Sequence, residues 1–264
     1  VTDAPAAESP FEAPLRHLER PDGARIAYRH TPGAGPTVVF LCGYASDMSG
    51  SKALHLERCC RERGQAFLRL DYRGHGESSG RFEEGTIGAW AEDARSVIEA
   101  CTEGPLLLVG SSMGGWIMLL VALAMPERVA GLVGVAAAPD FTEELVWEAL
   151  DEAARAELLR AGRLLVPSEY DEEPCPFTLA LIEEARSHLL LRAPIPLACP
   201  VRLLQGLADP DVPWETALRL AERLAAEDVR VTLVKGAGHR LSEPEHLELL
   251  DEAVRELSGG ARRS

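Results

Sequence analysis

Short continuous apolar runs alternate along the chain with segments in which apolar residues recur at helical spacing. Thr37 to Leu41 (TVVFL) carries almost nothing polar, the composition of a strand covered on both faces. Ala66 to Asp71, Leu106 to Gly110, Val129 to Ala136, Val201 to Gln205 and Val229 to Val234 follow in the same style. Leu15 to Arg20 and Arg25 to His30 flank Pro21-Asp22-Gly23, a turn signal that predicts a hairpin. Between the runs, Ile87, Trp90, Ala91, Ala94, Val97 and Ile98 form one helical stripe. Leu247, Leu250, Val254 and Leu257 form another, with Pro244 in its first turn, where a missing N–H is harmless. Met113 to Met125 is apolar all round, which predicts a central buried helix stopped by Pro126. The repetition predicts an α/β fold, a mostly parallel eight-stranded sheet with helices on both faces.

The alternation breaks once, between Pro139 and Cys199. Thr142 to Leu159 reads as an amphipathic helix through Leu145, Val146, Ala149, Leu150 and Ala153. Pro167 to Pro176 reads as an irregular acidic stretch and Thr178 to Leu191 as a second helix, before Pro194-Ile195-Pro196. An insertion that returns to a strand predicts a helical cap over the strand ends, residues 140–198. The alternative is a surface elaboration remote from any chemistry. Residues 1–14 read as a loose Ala/Pro-rich arm, 258–264 as a tail, and 1–264 as a single domain.

Gly110-Ser111-Ser112-Met113-Gly114 matches G-x-S-x-G between an apolar strand and the all-apolar helix. A sharp strand-to-helix turn of that kind needs small flanking residues and lifts Ser112 Oγ above the sheet, beside a helix N-terminus. A hydroxyl is a weak nucleophile until a base, itself oriented by an acid, takes its proton. Elbow architectures place these in the order Ser, acid, His. Of the seven histidines, His188, His239 and His246 follow Ser112. His188 falls in the expected cap and His246 on the last helix, so His239, after the strand VTLVK, is the candidate base. Asp209, after the strand VRLLQ, is the candidate acid. Asp211 is its rival, assigned instead to capping the helix that begins near Val212-Pro213. The backbone N–H of Met113 and of Tyr44, in Cys42-Gly43-Tyr44 after TVVFL, are the candidate oxyanion donors. The alternative for Gly43-Tyr44 is a tight strand exit alone. His75, in Asp71-Tyr72-Arg73-Gly74-His75-Gly76, precedes the nucleophile and reads as a packing residue beneath the site. Cys42 reads as a small buried hydrophobe.

Composition narrows the setting. The 264 residues hold 27 Lys and Arg against 42 Asp and Glu, a formal net charge of −15. Such a surface repels nucleic acid and anionic membranes, and the apolar run Met113 to Met125 falls short of the roughly 20 residues that cross a bilayer. The six cysteines show neither C-x-x-C pairing nor metal spacing, which reads as free thiols in a reducing compartment. The first residues carry Asp3, Glu8 and Glu12 and no basic residue, unlike a signal or transit peptide. Together these predict a cytoplasmic protein.

In order along the chain, the strand exit, the D-x-R-G-H-G-x-S loop, the nucleophile elbow, the acid turn and the G-x-G-H turn resemble the α/β-hydrolase superfamily of serine hydrolases, over Leu15 to Leu257. GSSMGGW (Gly110 to Trp116), VPSEY (Val166 to Tyr170), Ile182 to Pro196 and CPVRLLQGLADPDVPW (Cys199 to Trp214) resemble one branch in particular, the mitochondrial palmitoyl-protein thioesterases and acyl-glucuronide esterases of the α/β-hydrolase-domain group. The resemblance implies the α/β-hydrolase fold, a triad of Ser112, Asp209 and His239, and hydrolysis of acyl thioesters or esters on small molecules or S-acylated proteins, with no cofactor and no metal. Leu145, Val146, Trp147 and Leu150 of the cap are the expected acyl contacts. The competing readings are a carboxylesterase for small or acyl-glucuronide esters, a peptidase, and a non-catalytic binding protein on a hydrolase fold.

Overall fold

A computed structural model of the chain describes residues 12–166 and 174–260. Among them the strands are β1 (Leu15–Glu19), β2 (Arg25–Thr31), β3 (Ala34–Leu41), β4 (Gln65–Leu70), β5 (Leu106–Ser111), β6 (Val129–Val135), β7 (Arg163–Val166), β8 (Cys175–Thr178), β9 (Val201–Gly206) and β10 (Val229–Val234). The α-helices are α1 (Ser51–Glu62), α2 (Ile87–Cys101), α3 (Met113–Ala124), α4 (Glu152–Ala161), α5 (Leu179–Ala185), α6 (Trp214–Arg223) and α7 (Pro244–Gly260).

Eight strands form one sheet in the order β1-β2-β4-β3-β5-β6-β9-β10. β2 pairs antiparallel with β1 and β4, and the remaining neighbours are parallel. This is the eight-stranded, mostly parallel sheet that the apolar runs predict. The chain steps outward from β3 through α1 to β4, then returns through α2 to β5 on the other side of β3. Right-handed crossovers in opposite directions put their helices on opposite faces. Accordingly α1 packs with α7, and α2 packs with α3. With both faces covered, β4, β5 and β9 are buried along their whole length, whereas the edge strand β10 is half-buried or exposed. The reversal between β3 and β5 is a switch point, where the crevice beyond the strand ends favours a site.

α3 is central and mostly buried, as its composition predicts, with Met113, Trp116, Ile117, Met118 and Leu119 fully inside, Leu120 and Leu123 half-buried and only its last residue, Ala124, exposed. α1 carries Ala53, Leu56 and Cys60 inward together with Glu57. That buried carboxylate receives Arg69 Nε from β4 at 2.9 Å and the Ala13 N–H at 3.1 Å. Arg69 also donates to Glu12 at 2.8 Å. Residues 12–14 are therefore tied to the sheet, contrary to the expected loose arm; residues 1–11 lie outside the described part. At the other end, α7 runs through to Gly260, so residues 258–260 of the expected tail are helical, and residues 261–264 lie outside the described part; Ser258 receives Gln65 Nε2 at 2.9 Å.

The cap differs most from expectation. The first expected helix is split into a π-helical turn over Thr142–Trp147 and α4. Asp151 accepts from Ala154 N at 2.8 Å and so restarts the helix as an N-cap. Arg155 reaches back to the Trp147 carbonyl at 3.1 Å, satisfying the end of the turn before it. The second expected helix ends early, as α5 followed by a 3-10 turn over Arg186–His188. Within the stretch expected to be irregular, Cys175 and Pro176 belong to β8, which pairs antiparallel with β7; residues 167–173 lie outside the described part.

One buried side chain closes the insertion on itself. Asp140, fully buried at φ 62°, accepts Leu190 N–H at 2.7 Å on one oxygen and Leu191 N–H at 2.8 Å on the other. The entry and exit of the cap are thereby fastened by one carboxylate. Asp140→Ala leaves two N–H groups without their acceptor and is expected to destabilise the protein by about 2–4 kcal/mol. Urea unfolding measures this, and a loss below about 0.5 kcal/mol, the range of a neutral surface change, would refute the clasp.

Candidate active site

β5 ends at Ser111 and α3 begins at Met113, so Ser112 alone turns the chain. It adopts φ 54° and ψ −122°, a conformation that costs a non-glycine residue of order 1–3 kcal/mol and persists only where surroundings enforce it. They do so here: Ser112 N–H donates to Val135 O of β6 at 2.9 Å, and Ser112 C=O accepts from Gly115 N at 2.8 Å and Ala138 N at 3.1 Å. A Cβ on Gly110 would lie 2.3 Å from Gly114 O, and one on Gly114 would lie 2.1 Å from Leu41 O. The two glycines of the motif are there because the backbone on either side of the elbow leaves no room for a side chain.

Two further strand ends face this turn. His239, beyond β10, brings Nε2 to 3.0 Å from Ser112 Oγ. Its Nδ1 lies 2.9 Å from Asp209 Oδ2, beyond β9. With Nδ1 as the donor to the carboxylate, Nε2 is left to accept the serine proton. Asp209, with a fully buried side chain, also receives Gln205 Nε2 at 2.9 Å and the N–H groups of Asp211 and Val212, each at 2.9 Å. Burial alone would push its carboxyl up. The His239 ring and the two backbone donors outweigh that and hold it below the usual aspartate range.

Gly43 packs directly under the serine, where a Cβ would sit 3.3 Å from Ser112 Cβ. The next residue is Tyr44, in a turn closed by Ser46 N to Gly43 O at 3.3 Å. The loop's far end is pinned at Met48, whose N–H donates to Asp71 Oδ1 at 2.7 Å and whose carbonyl accepts from Arg69 at 2.8 Å. Across the crevice, the Met113 N–H is the first of α3 and has no acceptor within its own helix.

His75 is buried among Tyr72, Phe82 and Trp90, its Nδ1 3.3 Å from Arg73 O, and burial pulls its pKa down to about 4. Burial likewise raises the Cys42 thiol well above its ordinary value, as suits a packed, unreactive sulfur. Asp211 does not cap α6: Pro213 is the N-cap and no side chain bonds there. Its exposure is what separates it from Asp209. In the cap, Leu145 and Val146 are half-buried against the core, and Leu150 is half-buried. Trp147 lies between Arg155 and Arg186, whose guanidinium carbons are 5.4 and 4.9 Å from its ring.

Gln205, which steadies Asp209, is missing from the sequence reading; a polar residue closing the apolar run VRLLQ was its only signal. So is the aromatic cluster around Tyr44, formed with Phe82, Trp90, Phe141 and Phe177. Among the described residues, the one group of ligating side chains within mutual reach is Asp209, Asp211 and His239, with donor atoms inside 4.8 Å. Two of its members, Asp209 and His239, already hydrogen-bond each other. Two surface grooves of about 370 and 390 Å³ adjoin Pro200 and Ala130, near the start of β9 and β6, and are remote from Ser112. Among the described residues no helix is long and apolar enough to cross a membrane.

The profile of the alpha/beta hydrolase family matches residues 38–252. The chain is 42% identical to the mitochondrial palmitoyl-protein thioesterase ABHD10 of Homo sapiens over 244 residues, covering 92% of this chain and 79% of that protein. The solved structure of alpha/beta hydrolase domain-containing protein 10 from mouse superposes with a TM-score of 0.86 at 40% identity, covering 93% of this chain and 100% of that one. A hydrolase structure from Agrobacterium vitis S4 superposes with a TM-score of 0.88 at 40% identity, covering 93% and 99%. These likenesses overturn one expectation, that of a cytoplasmic protein: the human, bovine and rodent relatives are named as mitochondrial. Free thiols report a reducing compartment, and the cytosol is not the only one, so the cysteines never separated the two.

Proposed function

The chain belongs to the alpha/beta hydrolase family, and we propose that within it this protein is a serine hydrolase that cleaves acyl thioesters and acyl esters through an acyl-enzyme. The observation that carries the proposal is the unbroken hydrogen-bond path from Ser112 Oγ through His239 to Asp209, at 3.0 and 2.9 Å. The identity to palmitoyl-protein thioesterases supports S-acylated proteins and small acyl thioesters as the substrate class.

His239 Nε2 takes the hydroxyl proton as Ser112 Oγ attacks the acyl carbonyl. The N–H groups of Met113 and Tyr44 receive the developing oxyanion, each worth about 3 kcal/mol in comparable sites. The imidazolium, stabilised by the ionised Asp209, hands its proton to the departing thiolate or alkoxide. Water then repeats the sequence against the acyl-enzyme, with His239 again as base, and releases the carboxylic acid. Every proton in the cycle is carried by His239. Leu145, Val146 and Leu150 are the proposed acyl contacts; Trp147 is engaged by Arg155 and Arg186 and is left out of that group.

A panel of 4-nitrophenyl and coenzyme A acyl substrates from acetyl to palmitoyl tests the reading. Medium- and long-chain thioesters are expected to give the highest kcat/KM, and Ser112→Ala is expected to hydrolyse none of them. A clear preference for acetyl oxyesters would replace it with the small-ester carboxylesterase.

A further inference from the structure

The residue after Gly43 contributes more to the site than its backbone. The Tyr44 ring stacks on Phe177 of β8, with centroids 4.9 Å apart and planes at 11°. Tyr44 Oη donates to the carbonyl of Pro176, also in β8, at 2.5 Å. On its other sides the ring meets Phe82 edge-on at 4.8 Å, and Trp90 and Phe141 at 5.8 Å each. The β7–β8 pair is itself bound to the body of the protein where Arg163 of β7 pairs with Glu83, next to the same Phe82. A loop that starts under the nucleophile is therefore anchored in the cap.

The backbone there needs an anchor. Ala45 holds φ 52°, left-handed backbone that a β-carbon disfavours and that turns of this shape ordinarily give to glycine or asparagine. Such a conformation lasts only while its neighbours enforce it. Behind it, Met48 is fixed by Asp71 and Arg69; ahead of it, Gly43 is fixed against Ser112. Between these two points the turn is restrained by the Ser46–Gly43 hydrogen bond, by Cys42 Sγ on the Ser46 carbonyl at 3.6 Å, and by the Tyr44 side chain, whose ring packs on Phe82, Trp90 and Phe141 and whose stack and hydroxyl bond are both to β8.

We propose that the β7–β8 pair positions the Tyr44 N–H through the Tyr44 ring, so that seating of the cap completes the oxyanion hole. This rests on the serine-hydrolase reading above. Tyr44's side chain and Phe177 are thus positioning groups for the reaction, acting through the Tyr44 peptide.

The test measures kcat and KM separately for Tyr44→Phe, Phe177→Ala and the double variant, on 4-nitrophenyl acetate and octanoate. Phe177→Ala is expected to lower kcat on the acetate about 10-fold, with KM changed less than about 2-fold, because a small misplacement of a catalytic group acts on the transition state. Tyr44→Phe, which keeps the stack and loses the hydroxyl, is expected to lose about 3-fold in kcat. The double variant is expected to match Phe177→Ala, since both changes cut one link. Unchanged kcat on the acetate, with KM raised for the octanoate alone, overturns the proposal and makes Phe177 an acyl contact. Multiplying effects in the double variant overturn it as well. Should Phe177→Ala fail to fold, the nearly isosteric Tyr44→Phe decides, and unchanged kcat there counts against the proposal. Ser112→Ala run alongside separates the two readings. If it keeps full turnover, the serine-hydrolase reading fails; if it is dead while Tyr44→Phe and Phe177→Ala keep wild-type kcat, only the positioning role fails.

Discussion

His239→Ala is expected to lower kcat on a 4-nitrophenyl ester by about 10⁶-fold, and adding Ser112→Ala to it is expected to cost nothing more. Both follow from the path of single hydrogen bonds between Ser112, His239 and Asp209. Without the imidazole, the hydroxyl has no acceptor for its proton and the leaving group no donor, so either deletion removes the same step. Asp209→Asn is expected to fall by about 10⁴-fold, because the amide can favour the wrong imidazole tautomer while leaving the packing intact. A residual rate about 10³-fold above water is expected to survive in His239→Ala and in the double variant, and a rate about 100-fold higher than that in Asp209→Asn, supplied in part by the backbone donors of Met113 and Tyr44. A His239→Ala enzyme within about 100-fold of the wild type would show that another group carries the proton. The buried His75, whose pKa burial pulls down to about 4, is too weak a base for it. The non-additivity is the stricter part of the test, since unrelated losses would multiply.

The legible part of the fold was the part under strong physical constraint. A strand covered on both faces must be apolar throughout, so the runs that became β3, β5, β6 and β9 stood out. An elbow that admits no Cβ on either side must carry glycine twice, so Ser112 stood out as well. His239 and Asp209 were found through chain order and their places beyond strand ends. The helix Ser51–Glu62 carries its signal at Ala53, Leu56 and Cys60, partly masked by Glu57, which shares that buried face because Arg69 meets it.

The cap was less legible because its constraints are long-range. β7 and β8 are four residues each, too short for alternation to register, and β8 includes a proline. The π-helical turn gives way to α4 through Asp151, a capping residue sitting inside an otherwise convincing apolar stripe. Asp140 gives no local hint of its role, which depends on the N–H groups of Leu190 and Leu191 far along the chain. Gln205 and Phe177 are of the same kind, ordinary residues in sequence whose importance comes from what the fold sets beside them.

Gly114→Ala tests whether the elbow is as crowded as it looks. The added methyl would stand 2.1 Å from Leu41 O and 2.5 Å from Cys42 O, both backbone atoms of β3 and its exit. Neither can swing aside, because β3 is held in register by β4 on one side and β5 on the other. Relief has to come from α3 moving off the sheet by about 1 Å, and overpacking of that kind costs about 1–3 kcal/mol even where side chains can absorb it. With backbone on both sides of the clash, a loss of at least about 3 kcal/mol is expected, read as a lower urea midpoint at unchanged m. The same shift carries Ser112 and the Met113 N–H away from His239 and Tyr44. Among molecules that still fold, kcat is therefore expected to drop about 100-fold beyond any loss of folded fraction. Ala137→Gly supplies the contrast: its Cβ lies 2.5 Å from the position a Cβ on Gly115 would take, so it opens space one residue further along α3. If that space relieves the strain, the double variant regains stability before it regains kcat, because α3 can settle without returning Ser112 to its place. A Gly114→Ala protein with wild-type stability and wild-type kcat would show that the elbow tolerates a side chain, and would leave the glycine of the motif without its physical reason.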